Sequence, residues 1–148
     1  MLVKRLAMIL FAVAACKSAS TRGDTQLTGA PSARGAVESF LSAVRAQDLQ
    51  AMSTVWGNAK GPARDVVDRD QLEKRELIMQ CYLGHDSFNV LSDTRTKADE
   101  HVLQVSLTKG NVTRETSFTA VQGPSERWYV LSADLEPVKD LCAKSSGS

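Results

Sequence analysis

Two histidines, one carboxylate and three cysteines carry most of the reactive chemistry in this 148-residue chain. His85, Asp86 and His101 have the types that proton transfer needs, because imidazole changes charge near neutral pH and a carboxylate can orient it. Each histidine lies just ahead of a run of strand-forming residues. Adjacent residues in an extended strand point to opposite faces, so His85 and Asp86 are poorly placed to act as a pair if they are extended. A second reading stands beside the catalytic one: Gly84 stops a helix and Asp86 caps the reversal that follows. No metal is expected, because two histidines without further ligands at short spacing make no zinc site. Asp65, Asp68 and Asp70 lack the glycine and terminal glutamate of a calcium loop, and they suit the approach to a helix N-terminus. There is no nucleophile elbow, glycine-rich phosphate loop or dinucleotide fingerprint, so no cofactor is expected.

The first cysteine closes a patterned N-terminus. Lys4 and Arg5 precede Leu6–Ala15, an uncharged apolar run, which ends in Val13-Ala14-Ala15-Cys16. A helix of that length rises about 15 Å, half the hydrocarbon thickness, so it is too short for a permanent span. This arrangement resembles the lipobox of bacterial lipoproteins. The resemblance implies cleavage of residues 1–15 as a signal peptide and lipidation of Cys16. It also implies attachment to the cell envelope, with Lys17 pointing to the outer membrane facing the periplasm rather than the outer face of the plasma membrane. Two or more acyl chains suffice for firm anchoring. Lipidation would consume Cys16, leaving Cys81 and Cys142 in an oxidising compartment where they are expected to pair.

Removing the leader takes Lys4 and Arg5 from the 18 basic residues, leaving 16 against 17 acidic ones and a formal charge of −1. That balance gives no electrostatic footprint for nucleic acid. Residues 16–30 read as a polar tether behind the lipidated cysteine, residues 31–143 as one domain, and residues 144–148 as a disordered tail.

Within the domain the hydrophobic period is first helical. Val37, Phe40, Leu41 and Val44 line one face of a helix expected over 32–46. Asp48 is placed to cap a shorter helix carrying Leu49, Met52, Val55 and Trp56, with Gly57 as its left-handed stop. Residues 58–67 read as a loop. Asp70-Gln71-Leu72-Glu73 predicts a capping-box start to a third helix, with Leu77, Ile78, Cys81 and Tyr82 on it and Gly84 at its end. The period then shortens to 2 over 87–93, 102–108, 112–121 and 127–134, predicting four strands. Lys109-Gly110-Asn111 and Gln122-Gly123-Pro124-Ser125 supply turns. Helices followed by a meander predict an α+β fold, with N-terminal helices on a curved four-stranded antiparallel sheet.

Gln47-Asp48-Leu49-Gln50-Ala51-Met52 leading to Trp56, then a meander ending in Arg127-Trp128-Tyr129-Val130, resembles the nuclear transport factor 2-like superfamily. The resemblance implies a cone in which the sheet wraps the helices. Enzymes of that cone, such as ketosteroid isomerase, hold acidic or histidine groups inside an apolar cavity, but no motif here matches their catalytic residues. Trp56, Tyr82, Phe118 and Trp128 are candidates to line such a cavity, though aromatic residues inside elements also build cores. Two functions follow as expectations. One is a non-catalytic binding or assembly domain on the membrane, engaging a small apolar ligand or an envelope protein. The alternative is a cone-type lyase or isomerase acting on a small apolar substrate. Oligomeric state is not legible.

Overall fold

The computed structural model describes residues 27–143. Cys16, the leader and most of the expected tether lie outside the described residues. Helix α1 spans Ala33–Ala46, opened by Ser32, whose hydroxyl accepts the Gly35 amide at 3.0 Å. Its predicted apolar stripe is wholly buried. Asp48 caps α2 (Leu49–Val55) as expected, accepting the Ala51 amide at 3.0 Å. Gly57 does not stop this helix in a left-handed conformation; extended Trp56 does. Gly57 instead opens β1 (Gly57–Asn58), which pairs with β2 (Gly61–Pro62) inside the stretch expected to be a loop. A Cβ at Gly57 would stand 2.2 Å from the Gly61 carbonyl oxygen, so this close pairing requires glycine.

A one-turn helix α3 (Ala63–Val66) leads into α4 (Arg69–Tyr82). The expected capping box does not form. Asp68 takes the cap position without a side-chain bond, and α4 begins one residue before Asp70. The buried face of α4 also differs from the expected one. Leu77 and Ile78 are 47% and 51% exposed, while Leu72, Glu76, Met79 and Leu83 turn inward. Both sets keep helical spacing, and the second places a carboxylate among apolar residues.

Four strands follow: β3 (Ser87–Lys97), β4 (Glu100–Lys109), β5 (Val112–Gln122) and β6 (Trp128–Ala133). They form one antiparallel sheet in sequence order. Leu103, Val105 and Leu107 face the core and Gln104 faces out, as the alternation predicts. Gly110, at φ 56°, makes the left-handed turn between β4 and β5. Register shifts in β3 and between Thr119 and Ala120 of β5 mark bulges, which bend and twist a sheet. Helix α1 lies across β4, β5 and β6. The α+β expectation holds.

Packing fills the space between helices and sheet. Val37, Phe40 and Leu41 of α1 meet Leu103, Leu107 and Phe118, all with no exposed surface. Phe40 and Phe118 meet edge to face at 6.4 Å. Domain contacts begin ahead of Pro31. Gly29 donates to the Thr54 carbonyl, Ala30 exchanges backbone bonds with Trp128, and Arg127 donates to the carbonyls of Thr28 and Gly29. At the other end, the 3-10 turn Glu136–Cys142 is tied back to α4 by the Cys81–Cys142 disulfide, with a Cα separation of 4.8 Å. No helix of the described residues is long and apolar enough to cross a membrane.

Candidate functional site

The residues nominated for proton transfer fall into two separate places. His85 follows the end of α4 and is 7% exposed. Its Nδ1 lies 2.8 Å from the Leu83 carbonyl oxygen, which can only accept, so Nδ1 carries the proton and Nε2 holds a lone pair. The ring also meets Phe88 edge to face at 5.5 Å. Burial is the main cause that lowers the His85 pKa; Arg45 adds to the lowering, while the Leu83 bond and Asp86 oppose it. Asp86 makes no hydrogen bond to the imidazole and accepts the Gly110 amide at 2.7 Å. The two do not form a dyad, and Asp86 serves the turn. Both line an open depression of about 560 Å³ with Arg45, Gln80 and Lys109.

His101 lies within β4, not ahead of it, because the β3–β4 hairpin runs longer than its apolar residues indicate. It has the inward parity of Leu103 and Leu107 but sits at the end of the strand. Its Nδ1 meets Asp93 Oδ1 at 2.5 Å, and its ring meets Trp128 edge to face at 5.0 Å. The structure therefore joins one catalytic candidate to one aromatic candidate and adds Asp93, which the sequence reading passed over. The two stand diagonally across the β3–β4 pair, with Asp93 opposite Leu103 and His101 opposite Arg95, so the contact is readable only once the register is known.

The other aromatic candidates separate. Phe118 is sealed in the core and Tyr82 packs against it. Trp56 borders an apolar groove of about 260 Å³ with Ile78, Met79, Leu131 and Leu135, and Arg75 lies over its ring at 5.1 Å. Among the described residues, no group of three or more potential ligands gathers to hold a metal.

One functional candidate escaped the sequence reading altogether. Glu76 is 3% exposed and faces a depression of about 490 Å³ between α2, α3 and the start of α4. Its Oε1 is buried without a hydrogen-bond partner. Desolvation, helped by the charge of Glu73, pushes its carboxyl up to about 7. The available signal was its spacing: Leu72, Glu76, Met79 and Leu83 follow one helical stripe.

No family model matches this chain, and no curated protein does. Among solved structures it is similar to an NTF-2 like protein of unknown function from Shewanella oneidensis MR-1, at 13% identity and a TM-score of 0.41. That likeness covers 66% of this chain and 90% of the other. The α+β architecture itself rests on the helices and the antiparallel β3-β4-β5-β6 sheet.

Proposed function

We propose that this chain is a lipid-anchored protein of the bacterial cell envelope, held through Cys16, whose domain binds a partner rather than transforming it. The address rests on the sequence: a basic start, a short apolar core and Val13-Ala14-Ala15-Cys16. The Cys81–Cys142 bridge is in keeping with an oxidising compartment. One observation carries the binding role: Phe40, Phe118, Leu103 and Leu107 fill the interior where a cone enzyme would keep a cavity and its acid–base group. A small apolar ligand would lie instead along the groove beside Trp56.

A lyase or isomerase is the second reading, favoured by the Asp93–His101 pair. A carboxylate on Nδ1 fixes the tautomer and leaves Nε2 to exchange a proton. The His101 side chain is 23% exposed, however, and so is not closed off from water as such a site requires. The first reading is preferred for that reason.

Fractionation of cells making the full chain or its Cys16→Ala variant tests the proposal. The parent protein is expected in the membrane fraction, with a diacylglycerol mass on its first residue, and the variant in the soluble fraction. Equal membrane retention of the variant would overturn the anchor.

A further inference from the structure

Glu76 is anomalous because nothing in the domain answers it. Ser53 is buried nearby in the same depression, yet its hydroxyl donates at 2.7 Å to the Gln50 carbonyl and is used there. Arg64 and Arg69 border the depression. Arg64 meets Asp65 only at 3.8 Å, and Arg69 makes no ion pair among the described residues. A carboxylate oxygen shielded from water and left unpaired is costly, and native structures tolerate few such groups without a role. Two under-used guanidinium groups border the same hollow.

We propose that this depression binds a small zwitterion, whose ammonium donates to Glu76 and whose acid group meets Arg64 and Arg69. The charges select this class over simpler ones. A plain amine would suit Glu76 and Asp68 but face two arginines of its own sign. A plain carboxylate would suit the arginines but face Asp68, and Glu76 as well wherever that group is ionised. A molecule bearing both signs answers the two acids and the two arginines together, and guanidinium suits a carboxylate because its donors match the two oxygens. The volume, about 490 Å³, is ample for an amino acid or the charged end of a short peptide. The site depends neither on the anchor nor on the groove beside Trp56.

Protonation gives the site a direction. Glu73 on its own helix acts on the Glu76 charge, while Arg64 from α3 and Asp68 and Arg69 at the start of α4 line the same hollow; α2 contributes uncharged Gln50 and Ser53. An ammonium needs Glu76 ionised, so binding strengthens as pH rises through about 7. An anion taken by protonated Glu76 would show the reverse.

The test is calorimetric titration of the full chain, in detergent micelles, with glycine, β-alanine and 4-aminobutyrate. Propylamine and propionate serve as probes bearing one charge. At least one zwitterion is expected to bind at pH 8 about tenfold more tightly than either control. It should weaken about tenfold at pH 6 and about tenfold in Glu76→Gln. Arg69→Gln, a change on an exposed residue, should also weaken it and serves if Glu76→Gln does not fold. Failure of all three zwitterions to bind would overturn the proposal. So would propionate binding as well and tightening toward pH 6, or undiminished binding by the folded variants.

Discussion

Glu76 and His85 lie toward opposite ends of one stretch of chain, the first within α4 and the second just beyond it. Both are buried, and each keeps one side-chain atom without a partner. Their surroundings differ in what they already supply. His85 donates to Leu83, leans on Phe88, and sits beside a disulfide, so its unpaired Nε2 is the lone pair of a ring otherwise held in place. Glu76 Oε1 has no hydrogen-bond partner among the described residues, and burial drives the carboxyl toward the neutral form. An orphan atom on a group held by other contacts is consistent with structure. An orphan on a group held by none is where a ligand has something to add.

The disulfide offers the largest way to break this comparison. Replacing Cys81 and Cys142 together with alanine should cost about 4 kcal/mol, the chain-entropy value for a loop of this length. Cys81 lines the His85 depression and not that of Glu76. Hydrogen exchange should therefore rise first around His85 and the C-terminal turn, with the Glu76 end following only on global unfolding. Equal loosening at both ends would show that they are not separate regions.

A smaller effect sharpens the contrast through pH. Glu76 has a pKa raised in the folded state, so its contribution is fully present below about 4.5 and is lost as pH rises through about 7. Discounted for the solvent that reaches the other carboxylate oxygen, the loss is on the order of 1–2 kcal/mol. His85 has the opposite sign. Its lowered pKa gives stability that is present above its unfolded value and lost as pH falls. Urea midpoints across this range should show the two opposing one another in the parent protein. In Glu76→Gln the Glu76 contribution disappears, and stability should rise with pH through the same window. A variant curve parallel to the parent's would mean that Glu76 is solvated and that no dry carboxyl faces the hollow.

The sequence made one of these regions easier to read than the other. The helices, the meander and the cap at Asp48 were legible because each is a local pattern: period 3.6, period 2, or a side chain that reaches its own backbone. The Cys81–Cys142 pair was expected only through the resemblance that consumed Cys16. The face of α4 was misread because Leu77 and Ile78 are the obvious apolar residues, although tertiary packing turns the stripe through Glu76 inward. Hydrophobicity alone penalises a buried glutamate, so a pattern search discards the very position that carries the anomaly. The Asp93–His101 contact was hidden for another reason: it depends on the register of β3 against β4, which bulges shift. The hairpin at Gly57 required knowledge of a close approach that no residue type announces.

The smallest effect concerns how the His85 end is held. Lys109 donates from its ammonium to the Leu141 carbonyl at 2.7 Å, next to the residue that the disulfide fixes. A charged donor to a carbonyl is worth about 1.5–3 kcal/mol when well shielded, and partial exposure reduces that. With the bridge intact, the C-terminal turn is restrained whether or not Lys109 holds it. Lys109→Met should then cost only about 1 kcal/mol in the oxidised protein, read as a shift in the urea midpoint. When both cysteines are alanine, Lys109 shares that turn with the Arg114–Asp140 pair and the buried Val138 and Leu141, and the same substitution should cost measurably more. The difference between the two backgrounds is the coupling between tether and bridge. Equal costs would mean that each acts alone, and that the His85 end owes its order to its own packing rather than to a shared clamp.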